Sequence, residues 1–83
     1  MRKIRVLIVD DAVVVRRIVS DVLSGDPEIE IAVIAANGKI ALSKISQVNP
    51  DIVTLDVEMP EMNGLEALVE IRKLYPKLPV IMF

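Results

Sequence analysis

Short runs of β-branched residues alternate along this chain with segments whose apolar residues recur at helical spacing. The runs cover 4–9, 29–36, 51–56 and 80–83, with helical segments at 12–23, 40–48 and 64–74 between them. From Val6 onward the first run is apolar on both faces, the pattern of a strand buried on two sides in a parallel sheet. The order βαβαβαβ therefore predicts an α/β fold, a doubly wound parallel sheet with right-handed crossovers. A length of 83 residues allows one domain, and neither a linker nor a low-complexity segment interrupts it.

The helices have readable faces and stops. In the first, Val15, Ile18, Val19, Val22 and Leu23 form the apolar side, with Arg16, Arg17, Ser20 and Asp21 opposite. Ser24-Gly25-Asp26-Pro27 ends it. The second strand starts with alternation at Ile29, Ile31 and Val33. Asn37-Gly38 is a turn, and Asn37 can also cap the second helix, whose apolar face is Ile40, Ala41, Ile45 and Val48, bordered by Leu42 and closed by Asn49-Pro50. Gly64 opens the third, with Leu65, Leu68, Val69, Ile71 and Leu74 as its apolar positions.

Composition narrows the chemistry. The chain has no Cys and no His, which excludes disulfides, thiolate or imidazole metal sites and Ser-His-Asp triads. Carboxylates must carry any acid–base or metal chemistry. Ten basic and 12 acidic residues give a net charge of −2, and aromatic residues make up 2%. Neither a basic nucleic-acid face nor a stacking platform is expected. The longest apolar run, 31–36, is far short of the ~20 residues of a membrane span. The basic start at Met1-Arg2-Lys3 leads into an apolar stretch that stops at two aspartates, so it does not read as a signal peptide. The expectation is a cytoplasmic protein with no direct nucleic-acid contact and no membrane insertion. The glycines Gly25, Gly38 and Gly64 form neither a dinucleotide fingerprint nor a P-loop.

In doubly wound sheets, ligands bind at the carboxyl ends of the strands. There the first run ends in Asp10-Asp11 and the third in Asp56. Taken singly, the pair fits helix capping and Asp56 fits an ordinary strand-end turn. Taken together on neighbouring strands, they would crowd three negative charges, an arrangement that suits a hard divalent cation. An all-oxygen ligand set points to Mg²⁺ or a similar ion. A carboxylate beside such a cation can act as a nucleophile toward phosphorus.

These residues resemble the receiver domain of two-component response regulators. The matching blocks are Val6-Leu-Ile-Val-Asp10-Asp11, Ala36-Asn-Gly38-x-x-Ala41-Leu42 and Pro50-Asp-Ile-Val-x-Leu-Asp56-x-x-Met59-Pro60-x-Met62-Asn63-Gly64-Leu65. The resemblance implies a flavodoxin-like sheet of order 2-1-3-4-5. It implies that Asp56 is the phosphoacceptor, that Asp11 binds Mg²⁺ directly and that Asp10 assists mainly through water. Glu58 would offer its backbone carbonyl to the metal, and Met59, Pro60 and Gly64 would shape the loop. The implied phosphodonor is a phosphohistidine on a sensor histidine kinase. Asp26-Pro27-Glu28-Ile29-Glu30 and Thr54-Leu55-Asp56-Val57-Glu58-Met59-Pro60 look more particularly like the receiver of chemotaxis protein-glutamate methylesterases. In those proteins a separate esterase domain follows. The alternative output is a DNA-binding domain.

The resemblance stops inside the fourth strand, so residues 1–83 read as the N-terminal two-thirds of a receiver. The family's fourth helix, fifth strand and fifth helix, its switch Ser or Thr and its phosphoryl-contacting lysine have no counterpart here. Slow phosphorylation is therefore expected of this stretch alone. Ala12 stands where relatives often carry serine, and Ile40 where they often carry glutamate. With no fifth strand, Val80, Ile81, Met82 and Phe83 form a sheet edge without charge or proline. Self-association through that edge is expected, and a purely assembling module is the competing reading. A phosphohydrolase of another α/β family would want Asp-x-Asp after the first strand, which Asp10-Asp11-Ala12 does not supply.

Overall fold

The computed structural model describes residues 3–57 and 63–82. The elements run β1 (Ile4–Val9), α1 (Val13–Ser24), β2 (Ile29–Ala35), α2 (Gly38–Val48), β3 (Ile52–Leu55), α3 (Gly64–Leu74) and β4 (Val80–Met82). The strands form one parallel sheet of order β2-β1-β3-β4, the expected doubly wound arrangement. The residues bracketing the helices explain their limits. Asn37 Oδ1 accepts from the Ile40 amide and Asn63 Oδ1 from the Glu66 amide, both at 2.9 Å. Asn49 closes α2 in the left-handed region, at φ 49°, a conformation Asn tolerates better than most residues.

The two faces of the sheet are covered unequally. On one, Leu7, Val9, Ala35, Val53 and Leu55 pack with Ala41 and Ile45 of α2 and Ala67 and Ile71 of α3 in a continuous buried core. On the other, Val6 and Ile8 are buried and α1 lies against β1 and β2, yet no residue of α1 is itself buried.

Three expected faces are corrected by the packing. In α1 the half-buried residues are Val15, Arg16, Val19, Ser20 and Leu23, while Ile18 and Val22 are exposed. The apolar arc of α1 is wider than its contact with the sheet, so part of it faces outward. In α2, Ile40 is exposed and Gly38 joins Ala41 and Ile45 in the buried row. In α3 the buried row is Gly64, Ala67 and Ile71, leaving Leu65, Val69 and Leu74 exposed. Small residues let these helices approach closely, and closeness rather than residue size selects the buried row.

A fourth correction concerns β2. Its register with β1 shifts between Val6 and Leu7, where Ile31 pairs with Val6 and Val33 with Leu7. Ala32 is thus an extra residue, a β-bulge, and Val33 moves to the face opposite Ile31. Val33 accordingly packs on the large core.

At the amino-terminal edge of the sheet, Arg5 and Asp51 tie β1 to the start of β3. The Arg5 amide donates to Asp51 Oδ2 and the Asp51 amide to the Arg5 carbonyl, each at 2.8 Å. The Arg5 guanidinium also donates to the Val48 carbonyl and, at 3.3 Å, to Glu30. These contacts leave the opposite, carboxyl-terminal edge for the acidic residues.

Candidate functional site

β1 and β3 are neighbours, and Val9 pairs with Leu55, so the next residues, Asp10 and Asp56, emerge side by side. Main-chain bonds extend the ladder to both. The Asp10 amide donates to the Ala35 carbonyl and the Asp56 amide to the Val9 carbonyl, each at 3.0 Å. Asp11 follows in the turn leading to α1. Asp10, Asp11 and Asp56 each offer a carboxylate oxygen within 4.8 Å of the others.

The three differ in environment. Asp10 is 1% exposed, Asp56 is half-buried and Asp11 is exposed. Burial pushes the Asp10 carboxyl above its ordinary value. The negative charges of Asp56 and Asp11, and a side-chain hydrogen bond with Asp56, push the same way. The Ala12 amide opposes them by donating to Asp10 Oδ1 at 2.8 Å. That bond spans two residues and closes a turn, so Asp10 shapes the loop rather than capping α1. The N-cap of α1 is Ala12, which makes no side-chain cap. The capping reading of the Asp pair is thereby set aside.

The Gly64 amide donates to the Val57 carbonyl at 2.8 Å, tying α3 to the chain just after Asp56. Glu58, Met59 and Pro60, expected to line or shape the loop, lie outside the described residues. The bond from Gly64 to Val57 was not visible in the residue pattern, because a glycine in a turn carries no sign of what its main chain touches.

The site fits a hard cation in the chemistry of its donors. It holds carboxylate oxygens only, one of them buried, and like charges this close are costly without a counter-ion.

A model of the response regulator receiver domain matches residues 6–83. The chain belongs to that family. Among curated relatives, this receiver is 59% identical over 83 residues to a protein-glutamate methylesterase/protein-glutamine glutaminase of Trichodesmium erythraeum. It is 55% identical over 83 residues to the protein of that name from a Nocardioides species. All of the receiver chain aligns in both cases, with 24% and 23% of the relatives. The chain thus spans about a quarter of the length of these curated relatives. Among solved structures, the response regulator domain of Thermotoga maritima CheB superposes with a TM-score of 0.92 at 41% identity. The superposition covers 98% of this chain and 60% of that one. CheY in a CheX–CheY–BeF3–Mg²⁺ complex from Borrelia burgdorferi gives a TM-score of 0.91 at 35% identity, covering 98% of this chain and 61% of that one. The flavodoxin-like architecture that the resemblance implies is the architecture of these neighbours.

Proposed function

We propose that this receiver takes a phosphoryl group from a phosphohistidine of a sensor histidine kinase onto Asp56, at a site that binds Mg²⁺. The observation that carries the reading is the convergence of Asp10, Asp11 and Asp56 at the carboxyl-terminal edge of the sheet in a chain of this family. Asp11 would hold the cation directly and Asp10 mainly through water, with the Asp56 carboxylate beside them. Glu58 is assigned a backbone-carbonyl contact to the same ion. Bound Mg²⁺ would supply neutralisation of phosphoryl and carboxylate charge.

Asp56 acts as the nucleophile. One of its oxygens forms a bond to phosphorus as the phosphorus–nitrogen bond of phosphohistidine breaks, and the bonding pair leaves with the histidine nitrogen. The product is an aspartyl phosphate, and attack of water on phosphorus returns the carboxylate and inorganic phosphate. Asp56 is poised for this because the bond from its amide to Val9 holds it at the strand end beside Asp10. The half-buried position leaves its carboxylate reachable by a donor. The similar structure solved as a complex with BeF3 and Mg²⁺ supports the reading of this fold as one that meets Mg²⁺.

The 83 residues form the N-terminal part of a receiver, and the parent protein carries a protein-glutamate methylesterase output domain and acts in the cytoplasm. Identities of 59% and 55% to relatives of that name support this output over a DNA-binding one. The test is incubation with a small acyl phosphate and Mg²⁺, followed by intact-mass measurement. Slow addition of one phosphoryl group, lost in Asp56→Asn and on removal of Mg²⁺, is expected. Equal labelling of Asp56→Asn would overturn the assignment.

A further inference from the structure

We infer that Gly64 is a positioning residue for Asp56: the bare Cα of Gly64 seats the main chain after Asp56, and that seat sets where the carboxylate points. The inference rests on the reading of Asp10, Asp11 and Asp56 as a cation site.

A Cβ on Gly64 would lie 2.6 Å from the Val57 Cα and 2.9 Å from the Asp56 carbonyl carbon, and closer still to the Asp56 carbonyl oxygen. All three atoms are main chain, so no side-chain rotation relieves the overlap. No described glycine has positive φ, so the requirement is for space and not for a left-handed conformation. The contact is reinforced by the 2.8 Å bond from the Gly64 amide to the Val57 carbonyl.

Asp56 is therefore held from both sides. On the amino side its amide is bonded to Val9 of β1. On the carboxyl side its carbonyl rests on Gly64. With the amino side pinned, a displacement of the carbonyl turns the residue about its Cα and shifts the carboxylate relative to Asp10 and Asp11. The main chain of Asp56 is thus seated by α3 as well as by β1.

Gly25 provides the internal comparison. A Cβ there would meet its nearest neighbour, the Val22 carbonyl oxygen, at 3.4 Å, an ordinary contact. The test compares Gly64→Ala, Gly25→Ala and Asn63→Ala in the 83-residue chain. Asn63→Ala removes the α3 cap without adding bulk at Gly64. Mg²⁺ alone is titrated calorimetrically, and backbone amide resonances are recorded without metal. Gly64→Ala is expected to weaken Mg²⁺ binding on the order of tenfold, the scale set by groups that orient ligands. Its amide shifts should concentrate at Asp56, Val57, Asp10 and Asp11. Gly25→Ala should match the wild type, and Asn63→Ala should lose stability but keep its affinity.

Unchanged affinity in Gly64→Ala with unmoved Asp56 and Val57 resonances overturns the inference. So does an equal loss of affinity in Asn63→Ala, which would assign the effect to a loosened helix. If the wild type itself binds no Mg²⁺, the cation reading fails. The positioning role is then decided by the Asp56 and Val57 resonances alone: shifts confined to Gly64→Ala uphold it and their absence overturns it. Should Gly64→Ala not fold, replacing the Gly64 amide by an ester through semisynthesis removes the donor to Val57 without adding a Cβ. Weaker Mg²⁺ binding, or shifts at Asp56 and Val57, upholds the role in that variant. Unchanged affinity and resonances overturn it.

Discussion

Asp10 is the residue at which folding and the proposed function conflict most directly. It is buried beside two other carboxylates, and its carboxyl is pushed above the ordinary value mainly by burial. A raised carboxyl pKa means that the folded state holds the proton more tightly than the unfolded chain. The stabilising contribution is thus present at low pH and is lost as pH rises from the ordinary carboxyl range through the raised folded value. Asn at this position removes the charge and keeps an oxygen for the Ala12 amide. Asp10→Asn should therefore stabilise the metal-free protein at pH 7 by roughly 1–2 kcal/mol, within the range of single stabilising changes. Urea midpoints across pH 3 to 7 check this (a working range chosen about the carboxylate values): the gap between variant and wild type should widen with pH, and a constant gap would contradict the account. Mg²⁺ should raise the wild-type midpoint by mass action and should do so less in Asp11→Ala.

At the scale of elements, α1 is the least well anchored helix. It begins at Ala12 without a side-chain cap, and none of its residues is buried. Ala12→Ser should gain roughly 0.5–1 kcal/mol, because a hydroxyl at an extended N-cap can accept from the first turn. Thermal or urea unfolding measures this, and a neutral result would mean that the turn closed by Asp10 leaves no room for the cap. α3 offers the opposite contrast. Ile71 is fully buried, while Leu65 is exposed on the same helix. Ile71→Ala should cost about 2–5 kcal/mol, as cavity-forming changes do. Leu65→Ala should stay within about 0.5 kcal/mol, as surface changes do. Similar losses at the two positions would show that the buried row of α3 is misassigned.

For the whole molecule the decisive feature is the inequality of the two sheet faces. The α2–α3 face carries a continuous core, and the other face rests on α1 with Ile18, Val22 and Ile81 exposed. Among the described residues, β4 pairs with β3 alone, and Val80, Ile81 and Met82 bear no charge or proline. Such an edge is a template for another strand, and exposed apolar residues favour association. The 83-residue chain is expected to sediment at micromolar concentration as a dimer or larger species. Ile81→Lys should shift it toward monomer, because edge lysine opposes pairing. A compact wild-type monomer at the same concentration would refute the expectation.

What the sequence determined by itself was the element order, and through it a doubly wound parallel sheet, while the order of the strands followed from the family resemblance. Periodicity is local, so the β-branched runs and helical segments could be read from it, along with stops such as Asn49-Pro50. Strand-end position could be read too, which is why Asp10, Asp11 and Asp56 stood out and why their meeting needed only β1 and β3 to be neighbours. The tertiary structure alone decided which part of each apolar arc is buried, because that depends on how closely a helix approaches the sheet. Gly38 and Ala41 displaced Ile40 from the buried row for this reason, and Gly64 and Ala67 displaced Leu65. It alone decided the bulge at Ala32, since an inserted residue changes which face a strand presents without altering its composition. It alone revealed the contact of Gly64 with the main chain after Asp56. A residue with no side chain leaves no pattern, and the space it must leave open exists only once the chain has folded around it.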